Sequence, residues 1–400
     1  MVVGAGLLGL AAGRALARRG REVTVLEQAS PGHPGAGSKG SCRIFRLGYD
    51  DPAYVRAARR SRALWQSVED HSSRKILYPT TQLTIGPGLN AVRAAMTAAG
   101  APTELLPAAE VSARFPGLRV DGPALLEPES AVTAADVALE ALAAAVPEIR
   151  AGVRVTGLAD DGRRVTLETT EGRLSARAVV ICAGPQTAGL LDWRLPTAPT
   201  LEQVAYLAPA EPASTGSTVS TGSTVSTGST GMPIFLHHDE QAPYGLPVPG
   251  SALYKIGLHH SGPPVRAGQH DEAPDPGLTV RLEELARRHL PGFDPRAVRV
   301  ERCVYDNTPD EDFILDRIGN VVVGCGTSGH GFKFGPLLGE WLATLATVAS
   351  GDDAPGGPDG PDGSDGLDGL DGLDGLAARL RLARFSHGRV SRPAAGTSPG

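Results

Sequence analysis

The chain has 400 residues, 41% of them hydrophobic and 20% charged, with a formal net charge of −6, which is enough for two packed domains with cores of their own. A mildly acidic chain with 4% aromatic residues and no basic run lacks the phosphate-neutralising patch and stacking platform of a nucleic-acid binder, and no stretch approaches the roughly 20 apolar residues of a membrane span. Four scattered cysteines, Cys42, Cys182, Cys303 and Cys325, show no paired metal spacing, which predicts a cytoplasmic protein with neither a disulfide framework nor a metal site.

The first fifty residues read as strand, glycine turn, helix, strand and glycine-rich loop. Val2 and Val3 lead into Gly4-Ala-Gly-Leu-Leu-Gly9, an alanine-rich helix runs to Arg19 and stops at Gly20, and a second strand covers 23–27. The apolar start has no basic residue ahead of it and runs into that second strand, unlike a secretory signal. Helical spacing recurs over 54–68 and 133–146, and 153–181 alternates as strands before the buried run Ala178-Val-Val-Ile-Cys-Ala-Gly184. Between about 200 and 300, short strand-like runs are broken by Pro and Gly, with one helix near 279–289. Buried strands return from Arg299, followed by a helix over 337–348.

The predicted fold class is α/β: a Rossmann-like dinucleotide-binding domain with an inserted α+β substrate domain built on an antiparallel sheet. The first would be discontinuous, over 1–55, 133–200 and 299–350, and the second would take 56–132 and 201–298. Two segments are set apart by composition. Residues 213–231 are a Ser/Thr/Gly repeat expected to form a solvent loop, and 351–400, which holds six Gly-x-Asp triplets over 357–374, is expected to be disordered.

Gly4, Gly6 and Gly9 form GxGxxG between a strand and a helix, and Glu27 closes the next strand. The glycines permit a tight turn and close approach to a pyrophosphate, the helix N terminus supplies N–H donors, and the acid accepts from a ribose hydroxyl. No second such motif with a following acid occurs, so one dinucleotide is expected. Of 38 basic residues only Lys39, Lys75, Lys255 and Lys333 are lysine, a skew that fits GC-rich coding and makes each lysine worth examining.

Seven further blocks resemble the glycine-oxidase-like amine oxidases of the D-amino-acid oxidase superfamily, in particular the monomeric sarcosine oxidase and N-methyltryptophan oxidase group. They are Ser41-Cys-Arg43-Ile-Phe-Arg46, Arg114-Phe-Pro-Gly-Leu118, Leu126-Glu-Pro-Glu-Ser130, Tyr244-Gly-Leu-Pro247, Lys255-Ile-Gly-Leu-His259, Cys303-Val-Tyr305 with Thr308-Pro-Asp-Glu-Asp-Phe-Ile314, and Ser328-Gly-His-Gly-Phe-Lys-Phe334. The resemblance covers about residues 2–348 and implies FAD as the cofactor. It implies that Cys303 is joined through sulfur to the flavin, although a lone cysteine is more often a small buried hydrophobe. It places Lys255 beside flavin N5 to promote reaction with dioxygen, where a lysine flanked by apolar residues otherwise sits at an edge with its head in water.

The same resemblance makes Arg46 and Lys333 a grip on a substrate carboxylate, the arginine as a planar fork and the lysine as a point charge. Lys333 taken alone would be a surface charge. Arg43 is expected over the flavin, with Gly329, His330 and Gly331 along the loop that reaches it. Tyr244, His259 and Tyr305 are expected to line the substrate cavity, with plain packing as the alternative for each. Lys39 stands where the group has a histidine. The expected activity is oxidation of a secondary-amine amino acid such as sarcosine, with hydride transfer to flavin, an imine product and hydrogen peroxide from dioxygen. A cyclic imino-acid oxidase, or a same-fold dehydrogenase with another acceptor, is the alternative. The expected partners are a small amino acid with a carboxylate and a secondary amine, and dioxygen; neither nucleic acid nor membrane is expected, and the chain should be a monomer.

Overall fold

The computed structural model describes residues 1–191, 193–210, 231–239, 241–269, 273–350, 376 and 379–385. The expected repeat loop therefore lies, up to residue 230, outside the described residues.

Among the described residues, Val2–Val3 sits inside a six-stranded sheet whose order is Ile314–Ile318, Val321–Cys325, Val179–Ile181, Val2–Val3, Thr24–Glu27 and Glu148–Ala151. All neighbours are parallel except the Ile314–Ile318 edge. The central strands are runs of Val, Ile and Leu because helices and a second small sheet cover both faces, so alternation with polar residues has no place there. The helix Leu7–Arg18 leaves the first strand and packs on Gly335–Ala349, whose apolar face carries Leu337, Leu338, Trp341 and Leu342 into the same core. The stretch 153–181 resolves into a three-stranded antiparallel sheet, Val155–Asp160, Val165–Thr169 and Gly172–Ala176, ahead of Val179–Ile181.

A nine-stranded sheet makes up the other half. Its order is Phe293–Asn307, Ala198–Pro209, Tyr254–Leu258, Pro243–Pro247, Ile234–His237, Leu77–Ile85, Ala124–Ala134 and Cys42–Phe45, with Glu104–Leu106 also paired to Ala124–Ala134. It is antiparallel except where Ile234–His237 meets Leu77–Ile85. The sheet curls until its edge returns to its middle: Ser41 Oγ lies 3.2 Å from the Tyr206 hydroxyl, and Lys255 Nζ donates to the Cys42 carbonyl at 3.0 Å. Because Cys42–Phe45 and the strand up to Asn307 belong to this sheet, it reaches beyond the segments 56–132 and 201–298. Composition marks where a chain changes character, whereas strand pairing is non-local and crosses such marks.

The disorder expected over 351–400 needs correction in part. Leu376, Leu380 and Leu382 are 2%, 1% and 9% exposed, and the Leu380 carbonyl accepts from Leu315 N–H at 2.9 Å. Composition averages over a window, so the Gly-x-Asp triplets mask three leucines that bury themselves against the domain.

Candidate active site

The structure lines one cavity of about 910 Å³ with every residue given a catalytic, substrate-binding or cofactor-binding role from the sequence except Gly9; Lys39 and Lys75 are not among its lining residues. At one end lies the glycine turn. Gly4 has φ +98°, and a Cβ there would fall 2.9 Å from the Cys182 carbonyl carbon, so only glycine lets the chain turn between the strand and Leu7–Arg18. Gly9 packs its Cα against the carbonyl of Gly4 and shapes the turn from behind. Gly6 is the N-cap and offers no side chain to the helix; Leu7 N–H donates to Ser38 Oγ at 3.0 Å, and the rest of this N terminus faces the cavity, where a helix end favours an anion. The Glu27 carboxylate accepts from Ala5 N–H at 2.8 Å and from Ala29 N–H at 3.0 Å, which fixes it at the cavity wall with lone pairs to spare. A glycine cradle, a helix N terminus at the cavity wall and a fixed acid suit the pyrophosphate and ribose of FAD.

In the middle of the cavity, one carbonyl gathers two cations. The Cys42 oxygen accepts from Lys255 Nζ at 3.0 Å and from Arg43 Nη1 at 2.9 Å. Arg43 also donates to the carbonyls of Gly37 and Lys39 and lies 5.7 Å from the Phe332 ring centre. Lys255 is 4% exposed on a fully buried strand, and desolvation lowers its pKa. Cys303 faces the same space from the strand Phe293–Asn307, and burial raises its thiol pKa against the opposing pull of Arg43 and Lys255. Of the four lysines, the two buried ones are Lys255 and Lys333; the exposed Lys75 pairs with the buried Glu69 carboxylate at 3.4 Å.

Arg46 and Lys333 come together on Tyr49. The Arg46 guanidinium carbon is 3.9 Å from the Tyr49 ring centre, and Lys333 Nζ donates to the Tyr49 hydroxyl at 2.9 Å and to the His330 carbonyl at 2.6 Å. Burial, reinforced by Arg46, holds the Lys333 pKa well below its ordinary value. The backbone of Lys333 is fixed in turn, its carbonyl accepting from Ser61 Oγ at 2.6 Å and Trp65 Nε1 at 2.9 Å. His330 Nε2 faces the Glu311 carbonyl at 3.0 Å and must donate there. Its Nδ1 therefore accepts from the Tyr49 hydroxyl at 3.1 Å. This assignment fits an imidazole kept neutral by burial and by neighbouring Lys333.

Tyr244, His259 and Tyr305 form a third wall. His259 packs edge-on against Tyr305 with ring centres 5.6 Å apart, and burial pushes its pKa down to about 3, so it is neutral at physiological pH. Tyr305 lies across Gly329, which has φ +74° and where a Cβ would overlap the tyrosine ring. Gly329→Ala is therefore expected to destabilise the protein by about 1–3 kcal/mol, readable as a lowered thermal midpoint with a displaced Tyr305.

Several residues at this site carry no signal in the sequence reading. Tyr49 follows Arg46 by three positions but belongs to no motif. Glu127 lies within Leu126-Glu-Pro-Glu-Ser130, where nothing in the sequence gives it a role. Its buried carboxylate accepts from Leu47 N–H at 2.6 Å, Gly48 N–H at 2.7 Å and Ser130 Oγ at 2.6 Å, holding the loop that presents Arg46 and Tyr49. His259, His260 and Glu311 place possible ligand atoms within 4.8 Å of one another, a grouping created by the fold and invisible as spacing. Among the described residues, no helix is long and apolar enough to cross a membrane.

Comparisons with known proteins point to one family. The family described as DAO, FAD dependent oxidoreductase, matches residues 1–345. Mouse peroxisomal sarcosine oxidase is 32% identical over 369 residues, covering 86% of this chain and 91% of the mouse protein. Monomeric sarcosine oxidase from a Bacillus species is 29% identical, covering 86% and 92%. The solved structure of NikD, an unusual amino acid oxidase essential for nikkomycin biosynthesis, superposes with a TM-score of 0.75 at 25% identity, covering 93% of this chain and 95% of NikD.

Proposed function

Since the chain belongs to the DAO family of FAD-dependent oxidoreductases, we propose that it is an oxidase of a secondary-amine amino acid, with sarcosine and other N-methyl amino acids as first candidates. The observation that carries this reading is the pairing of two cations, Arg46 and Lys333, on Tyr49 in the cavity that also holds Lys255. When bound, FAD supplies the acceptor for the substrate hydride and delivers the electrons to dioxygen, giving an imine and hydrogen peroxide.

The residues divide that work. The turn Gly4–Gly9 and Glu27 would hold the dinucleotide, Arg43 with the loop Gly329–Gly331 would hold the flavin side, and Cys303 would anchor it through sulfur. Arg46 and Lys333 bind the carboxylate and so fix the amine carbon in one orientation. His259, uncharged, and the two tyrosines close the cavity around an amine that must be neutral to react. Lys255 presents a fixed ammonium in a water-poor site, which favours dioxygen reduction because negative charge arises only in that step. A cytoplasmic monomer is our reading, supported by four free cysteines and by the monomeric Bacillus relative.

Two experiments test the proposal. Anaerobic addition of N-methyl and cyclic amino acids is expected to bleach the flavin for one class, and admitting air should restore the colour with one peroxide per turnover; bleaching that air does not reverse would overturn the oxidase reading. Acid precipitation of the wild type should give a yellow pellet, and Cys303→Ser a colourless one with all flavin in the supernatant. Flavin released equally from both would remove the covalent link.

A further inference from the structure

We propose that Arg379, carried by the segment beyond the Gly-x-Asp triplets, is a positioning residue for the carboxylate clamp. The inference rests on the reading of Arg46 and Lys333 as that clamp. Arg379 borders the same cavity. Its guanidinium grips Asp312 as a fork, Nε to Oδ2 at 3.0 Å and Nη2 to Oδ1 at 2.9 Å, while Nη1 reaches Asp51.

Two routes lead from these acids to the clamp. Asp312 Oδ1 also accepts the Tyr54 hydroxyl at 2.6 Å, and the Tyr54 ring stacks on Tyr49 at 5.1 Å with a 21° tilt. Tyr49 is the residue on which both Arg46 and Lys333 rest. Asp51 is the N-cap of the helix Pro52–Ser72, accepting from Ala53 N–H at 2.8 Å, and Ser61 and Trp65 of that helix hold the Lys333 carbonyl. Arg379 thus binds the first residue of one support and the carboxylate beneath the other.

The energetic need is specific. Asp312 is 7% exposed, and a buried carboxylate that loses its counter-charge is costly enough to move its neighbours. The neighbour best placed to move is Tyr54, and with it the stack under Tyr49. A lysine could supply charge but not both arms of the fork. The segment does not depend on Arg379 to stay docked. Leu376, Leu380 and Leu382 are buried, Arg381 meets Asp316 at 2.9 Å, and Arg384 meets Asp310 at 2.7 Å. Three arginines therefore face three aspartates of the stretch Asp310–Asp316, and removing one leaves the others in place.

The test uses the holoenzyme and its Arg379→Ala, Arg379→Lys, Tyr54→Phe and Arg46→Ala variants. Sarcosine kinetics are combined with the dissociation constant of acetate, read from the change in flavin absorbance. Arg379→Ala is expected to raise the sarcosine KM and weaken acetate by about threefold to tenfold with kcat nearly unchanged. Arg379→Lys should recover part of the loss. Combining Arg379→Ala with Tyr54→Phe should add little to either alone, as for residues acting through one contact. If Arg46→Ala raises KM but Arg379→Ala does not, the positioning role is refuted while the clamp stands. If Arg46→Ala is also without effect, the clamp reading fails and takes this inference with it. A lower thermal midpoint with KM and acetate affinity unchanged would show a merely structural contact and overturn the proposal.

Discussion

Lys255→Met should slow flavin reoxidation by dioxygen by about 10²–10³-fold, the scale of losing a fixed charge aimed at a developing anion, while anaerobic reduction by substrate stays within about threefold of wild type. The substitution is close in length and removes charge from a strand that is buried throughout, so the fold has little reason to object. What disappears is an ammonium held at 3.0 Å from the Cys42 carbonyl and 5.7 Å from the Tyr206 ring centre. Stopped-flow measurement of the two half-reactions separates the outcomes, and equal slowing of both would defeat the assignment. The pH dependence follows from sign. Burial lowers the Lys255 pKa, and lysine is cationic below its pKa, so wild-type reoxidation should fall as pH rises through that lowered value. The Met variant has no such charge to lose and should lack that limb.

How much of this was readable beforehand depends on the range of the interaction. The glycine turn, the helix after it and Glu27 lie within one local unit, where backbone geometry and phosphate chemistry impose residue types at fixed spacing, so they were legible. Lys255 and Lys333 stood out because lysine is scarce in this chain and because each sits among apolar neighbours. Tyr49, Tyr54 and Glu127 were not legible, since their importance comes from what lies across the fold. Glu127 matters because the curled sheet brings it to Leu47 and Gly48, and Tyr54 because Asp312 arrives from 258 residues away. Arg379 was hidden for a third reason: composition averages over a window, and one rich in glycine and aspartate concealed three buried leucines.

Removing either clamp cation should cost more in recognition than any other single change at the site. Truncating one member of a desolvated, hydrogen-bonded charge pair costs about 2–5 kcal/mol, so Arg46→Ala and Lys333→Met are each expected to lower kcat/KM for an N-methyl amino acid by at least about 30-fold. Arg46→Lys should recover only part, because a point charge cannot reproduce the fork. The decisive comparison is with the corresponding N-methyl amino-acid amide, which keeps the amine and loses the negative charge. Wild type should strongly prefer the acid, and each variant should lose most of that preference. A variant that slows acid and amide equally would mean that the residue serves the fold or the flavin. The two cations also oppose each other. Arg46 contributes to the lowered Lys333 pKa, and a lysine attracts a carboxylate only while protonated, so under the proposed clamp KM should rise as pH climbs through that lowered value. In Arg46→Ala the repulsion is gone, the Lys333 pKa rises, and the alkaline increase in KM should begin at higher pH even though binding is weaker throughout. A shift in the opposite direction would mean that the two charges do not share one site.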